Sequence, residues 1–164
     1  MKNQPVSNRL YAIIDLFDLH TPFFESALDA ISEEDSTNRL GTKANHIAWI
    51  AGSLVQERYE TANLLGLDLK PSAHELFKDH KGIQENVGYP SLDSFKKDWK
   101  EISPILRAQL LTVSENELDK ILEFPEMSFS LYEMISFQMY REANCIGQIA
   151  LWRRLLGYDA MKYM

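Results

Sequence analysis

Apolar residues recur at three- and four-residue steps through most of this chain, a repeat that only a helix with one buried face satisfies. Leu10, Ile13, Ile14, Phe17, Phe24, Ala27, Leu28 and Ile31 predict a first amphipathic helix over 7–32. Pro22 interrupts it, so either the helix kinks there or Thr21 caps a restart with Pro22 at the first helical position. The polar segment from Glu33 to Leu40 reads as a loop. A second helix is predicted from Lys43 to Leu65, with Thr42 as N-cap and Gly66 as the C′ residue. Residues 67–90 carry Pro71, Gly82, Gly88 and Pro90 and form a long connection, with a short helix near 72–79. A third helix starts near Ser91, runs through Phe95, Trp99, Ile102, Leu106, Leu110 and Leu111, and is bent by Pro104. Ser114-Glu115-Asn116-Glu117 has the form of a capping box and opens a short helix to Leu122; Ser130-Leu131-Tyr132-Glu133 is a second, opening the last long helix, which ends at Gly157. No segment shows sustained two-residue alternation with hairpin turn residues, so the expectation is all-α. Four long amphipathic helices in one domain over 1–164 bury their apolar stripes as a four-helix bundle.

Size and charge narrow the function. A chain of 164 residues is one ordinary domain, able to bury roughly 70% of its unfolded surface. The formal net charge of −7 argues against a nucleic-acid partner, because phosphate neutralisation needs clustered Lys and Arg. Arg153-Arg154 is a dense basic group, but it sits where cations favour a helix dipole. No apolar run approaches the ~20 residues of a membrane span. The start, Met1-Lys2-Asn3-Gln4-Pro5, lacks the apolar core of a signal peptide, and a lone cysteine fits a reducing compartment, so the cytoplasm is expected.

Two segments carry a family resemblance. Asn45-His46-Ile47-Ala48-Trp49-Ile50-Ala51-Gly52-Ser53 and Tyr140-Arg141-Glu142-Ala143-Asn144-Cys145-Ile146-Gly147-Gln148-Ile149 resemble helices of the DinB/YfiT-like superfamily. Leu64-Leu65-Gly66 and Arg153-Arg154-Leu155-Leu156-Gly157 extend the likeness. Such proteins are small four-helix bundles that usually hold a metal ion with three histidines, in the patterns Trp-x-x-Gly-His and His-Glu-Ala-Tyr-His-x-Gly-Gln. The resemblance implies an up-down-down-up bundle whose long connection joins helices 2 and 3. Relatives are metal-dependent hydrolases and thiol S-transferases, and dimers are common among them. In this chain the three histidine positions fall on Ser53, Arg141 and Cys145.

That substitution changes what the site can hold. Two residues four apart on a helix point the same way, which lets paired imidazoles grip one ion. A guanidinium has no lone pair to give and repels a divalent cation, and serine is a poor ligand for Zn or Ni. No metal cofactor is therefore expected at Ser53, Arg141 and Cys145. His46, Glu57 and Cys145 offer a conceivable replacement set, against which His46 caps its helix and Glu57 is a surface or ion-paired carboxylate. Arg141 is expected to pair with Glu57 where relatives hold metal, or else to swing to solvent. Arg141 close to Cys145 would lower its thiol pKa; the alternative is a small buried hydrophobe. Gln148 and Gly147 match the family and are assigned to packing, Gly147 for close helix approach. His20, His74 and His80 stand at no ligand spacing and read as surface or semi-buried. Phe129, Tyr132, Phe137 and Tyr140, with Met127, Met134 and Met139, read as core.

The expectation is a DinB-like protein without the family metal, binding a small molecule or a protein through the former metal pocket, as a homodimer. An enzyme using a non-standard Arg141/Cys145 site, or a structural dimerisation module, are the alternatives.

Overall fold

The computed structural model describes residues 4–163. Met1, Lys2 and Asn3, on which part of the signal-peptide expectation rests, and Met164 lie outside the described residues. A 3₁₀ turn leads into α1 (Tyr11–Leu28), followed by α2 (Glu33–Ser36), α3 (Ile47–Leu64), α4 (His74–Phe77), α5 (Leu92–Thr112), α6 (Glu115–Leu118), β1 (Ile121–Phe124), β2 (Met127–Ser130) and α7 (Leu131–Leu155). The described chain is mostly helical. Among the long helices, α1 packs along α5 and α7, and α3 packs along the same two. No helix is long and apolar enough to cross a membrane.

Local chemistry sets most of the helix ends. Both predicted capping boxes form: Ser114 with Glu117, and Ser130 with Glu133. Gly66 (φ +94°) and Gly157 (φ +89°) take the left-handed conformation that closes α3 and α7. Behind each, two backbone bonds complete a Schellman motif, Leu67 to Ala62 and Gly66 to Asn63, then Tyr158 to Arg153 and Gly157 to Arg154. Pro22 neither splits α1 nor starts a new helix. The helix runs through it, and the Thr21 hydroxyl donates to the Phe17 carbonyl at 2.8 Å.

Several expectations are corrected. The predicted helix from Lys43 begins only at Ile47. Its cap is His46, whose Nδ1 accepts from the Trp49 N–H at 3.1 Å, while Thr42 sits in a turn and donates to the Arg39 carbonyl. The loop read at 33–40 contains the one-turn α2, capped by Ser32. The all-α expectation misses an antiparallel hairpin, with Ile121 opposite Ser130 and Phe124 opposite Met127. Its two-residue turn, Pro125-Glu126, contains no glycine and neither residue has positive φ, so the usual hairpin signal is absent. Phe137, Tyr140 and Met127, read as core, are exposed, whereas Met139 is buried. Gly147 faces open space. It is Gly52 that permits close approach: a Cβ there would stand 2.2 Å from the Phe77 ring and 2.8 Å from that of Phe95.

The four long helices meet at one charged group. Arg58, on α3, is fully buried, and its Nε and Nη2 donate to Glu142 of α7 at 2.6 and 2.8 Å. Its Nη1 donates to Thr21 of α1 at 3.0 Å and to Ser103 of α5 at 2.7 Å. Both hydroxyls spend their own protons on carbonyls one turn back, those of Phe17 and Trp99, and are left as acceptors. The guanidinium lies between two aromatic faces, 3.9 Å from the Phe17 centroid and 3.4 Å from that of Trp99. His20, read as surface or semi-buried, is buried with its Nδ1 3.2 Å from Glu142. Burial pushes the Glu142 carboxyl up, but the charge and hydrogen bonds of Arg58, helped by His20, hold it below the usual carboxylate range. Because an ionised carboxylate only accepts, the His20 Nδ1 carries the proton in this contact.

Removing one member strands the other in a dry core. Glu142→Ala should lose on the order of 3–5 kcal/mol of unfolding free energy in urea. The paired change Arg58→Met with Glu142→Leu should lose less than Glu142→Ala alone, since no charge is left unpaired. Losses in the double variant equal to the sum of the single ones would show that the two charges act independently.

Candidate functional site

Glu57 and Arg58 are consecutive on α3, and Arg141 and Glu142 are consecutive on α7. Successive helical residues point about 100° apart, so each helix turns one charge into the core and the next toward the gap between α3 and α7. In that gap the Arg141 Nη1 donates to Glu57 at 2.6 Å, and Nη2 reaches the Ser53 hydroxyl at 3.4 Å. Ser53 gives its proton to the Ile50 carbonyl at 2.9 Å, leaving its lone pairs for Arg141. The expected Arg141–Glu57 pair is thus formed.

This pair borders a cavity of about 350 Å³ between α3 and α7. The α3 side presents Trp49, Ser53, Gln56, Glu57, Glu60, Thr61 and Leu64. The α7 side supplies Met134, Ile135, Phe137, Gln138 and Arg141. Phe77, His80 and Lys81, from α4 and the 3₁₀ turn after it, close one end. The connection that carries them is tied down. Ser72 donates twice to Asp98 on α5, and the Gln84 side chain donates to the Leu76 carbonyl. Phe77 rests on Gly52, so a glycine of the sequence motif sets this wall.

Of the residues singled out from sequence, Ser53, Glu57 and Arg141 line this cavity, whereas His46, Cys145 and Gln148 do not. His46 is committed to its capping bond and to an edge-on contact with Tyr89 at 4.7 Å. Burial lowers its pKa. Gln148 is exposed and bonds to Asn144. Cys145 is buried, and burial raises its thiol pKa despite the opposing pull of Arg141. Arg141 pulls it down as expected, but burial outweighs that pull, so the thiol remains protonated at neutral pH, in keeping with the alternative of a small buried side chain.

The donor set does not suit a metal. Arg141 brings a fixed positive charge, Cys145 a protonated thiol and Ser53 a hydroxyl already engaged at both ends. Among the described residues no group of three or more His, Cys, Asp or Glu side chains is placed to hold an ion. Two residues the sequence reading missed also belong here. Gln138 is 2% exposed, and neither of its amide atoms has a hydrogen-bond partner; the buried Trp49 Nε1 has none either. The available signal for Gln138 was a neutral polar residue between Phe137 and Met139, in a stretch whose aromatic and methionine residues were read as core.

No family model matches the chain, and no curated protein matches it.

Burial pushes the Glu57 carboxyl up to about 7, against the pull of Arg141. The sign for stability follows. A carboxyl whose folded pKa exceeds its unfolded one holds an extra proton in the folded state between the two values. Unfolding free energy therefore falls as pH rises from the ordinary carboxylate range toward about 7 and stays lower above it. Glu57→Gln, which keeps an acceptor for Arg141, should flatten this dependence. Relative to the parent chain it should gain on the order of 3 kcal/mol at about pH 8 and almost nothing at about pH 4. Urea titrations across that range are the measurement, and parallel profiles would show that Glu57 does not titrate in this window.

Proposed function

We propose that this chain is a DinB-like four-helix bundle of up-down-down-up topology. It has lost the family metal site and binds a small molecule in the cavity between α3 and α7. What supports the kinship is the meeting of Arg141 with Ser53 across the two helices, at positions where the resemblance implies converging ligands. One observation carries the binding reading. An apolar-walled cavity of about 350 Å³ ends on a cation whose partner, Glu57, is half neutral near pH 7. When Glu57 takes up a proton, Arg141 is free to face an anion on the ligand. An enzyme built on Arg141 and Cys145 is the weaker alternative, because the thiol is outside the cavity and protonated. The cytoplasm is the proposed place of action.

A simple probe tests this. 2-Naphthalenesulfonate keeps its charge at all working pH values and carries an apolar bicycle. The Trp49 indole N–H resonance should shift saturably on its addition, with binding several-fold tighter at about pH 6 than at about pH 8. The groups facing Glu57 that bear on this are Arg141, Glu142 and Glu60. His80 and Lys81 also line the cavity. Arg141→Gln should weaken binding and remove most of the pH dependence. No saturable shift at either pH, up to millimolar probe, would sink the reading.

Self-association is a second reading, favoured by one observation. Phe137, Tyr140, Leu151 and Leu155 are exposed along a single face of α7. A homodimer packed on that face should sediment at twice the chain mass. Leu151→Glu combined with Leu155→Glu should return it to the monomer. A monomeric parent chain at tens of micromolar would remove it.

A further inference from the structure

Gln138 poses an accounting problem. A buried primary amide has two donor hydrogens and an acceptor oxygen, and leaving them unmatched costs more than an apolar side chain of the same shape would. Here both ends are unmatched, in a residue 2% exposed that lines the cavity. The indole N–H of Trp49, on the facing helix and lining the same cavity, is unmatched too. Ser136 is a useful contrast. Its hydroxyl is also unpartnered, but it lies outside the cavity wall, and a serine within a helix can turn to a carbonyl of its own helix. Gln138 and Trp49 have no such local recourse, and the antiparallel pairing of α3 with α7, which sets Arg58 on Glu142 and Asn45 beside Trp152, places them toward opposite ends of the cavity.

The Gln138 amide defines a chemistry. Whichever way the Gln138 amide is turned, it presents a donor and an acceptor side by side. A ligand edge with an N–H next to a C=O satisfies both at once. The Trp49 N–H, beyond Arg141 toward the other end of the cavity, is a separate donor and is not part of this edge. The amide is uncharged, and Ile135, one turn before it on α7, lines the same part of the cavity. We propose that this part of the cavity recognises an uncharged amide edge, such as that of a lactam, a cyclic urea or a primary carboxamide on an apolar body. Arg141 and Glu57 hold the charged part of the ligand elsewhere in the same cavity. The inference rests on the proposed small-molecule reading and names its substrate class.

The probe pair is quinolin-2(1H)-one and its N-methyl derivative, which share a bicycle and a carbonyl but differ in the N–H donor. On adding the lactam to ¹⁵N-labelled protein, the Gln138 side-chain amide resonances should shift and saturate. The N-methyl compound should bind at least about ten-fold more weakly, having lost one hydrogen bond and left an acceptor unmatched. Gln138→Leu should abolish that discrimination and raise the midpoint of thermal unfolding, because an unmatched buried amide has been replaced by an apolar group of similar volume. Equal binding of the two probes, or a Gln138→Leu variant with a lower unfolding midpoint, would overturn the proposal, the second by showing that the amide serves the fold. Failure of both quinolinones while 2-naphthalenesulfonate still binds at Arg141 would remove the amide site and leave the binding reading standing. Failure of all three probes would remove both.

Discussion

The buried guanidinium of Arg58 is the constraint on which the arrangement of helices depends. It is bonded to α1, α5 and α7 from its own place on α3, and it sits between the rings of Phe17 and Trp99. Each of those groups must arrive within hydrogen-bonding distance, because a fixed charge in a dry core has no other outlet. Apolar packing alone tolerates sliding of one helix along another. A fork of donors that needs Glu142, Thr21 and Ser103 at once does not. The pair is therefore better described as setting register than as adding stability, for a well-packed apolar trio would serve burial as well.

The proline positions belong to the same logic. Thr21 precedes Pro22 on α1, and Ser103 precedes Pro104 on α5; each hydroxyl accepts from Arg58 while donating to its own helix. Beside this, Arg107 grips Asp18 with two bonds, at 2.6 and 2.8 Å, and joins α5 to α1 on the outside of the same layer. At the far end Arg153 donates to the Ala27 and Asp29 carbonyls, tying the end of α7 to that of α1. The sequence suggested only a favourable dipole contact there. The structure makes Arg153 buried, so its charge is spent on carbonyls left free where α1 ends.

Legibility in the sequence follows the range of the interaction. Ser114, Ser130, Gly66 and Gly157 act within a few residues of themselves, and each was readable as a cap or a stop. The long helices were readable because burial leaves a periodic trace. The Pro125-Glu126 turn was not, since it lacks the glycine or asparagine that announces a hairpin and is set by pairing of Ile121 with Ser130 across it. Half of the charged arrangement was legible: a cation at a position where the sequence resemblance implies a ligand drew attention to Arg141 and hence to Glu57. The other half was not, although it is the adjacent dipeptide in both helices. Arg58 looks like a surface residue until the aromatic faces of α1 and α5 are known to cover it. Gln138 was lost for the opposite reason, because apolar neighbours on α7 made the whole stretch read as core.

The two ion pairs are adjacent, opposite in polarity and different in solvent access, and this difference divides their work. Glu142 is enclosed with Arg58 and His20 around it, and they hold its carboxyl below the ordinary carboxylate range against the pull of burial. Glu57 has one cationic partner and a cavity at its side, and it titrates near neutrality. A rotation of one residue along each helix thus separates a fixed charge that aligns α3 with α7 from a switchable one that meets whatever enters between them. Neutralising Glu57 leaves the inner pair intact, so the cavity can change its charge without loosening the helices that form its walls. A divalent ion at the same place would have joined the two tasks, since its loss would both open the site and release the helices. With a guanidinium there instead, register is settled in the core, and the cavity is free to respond to pH and to its occupant.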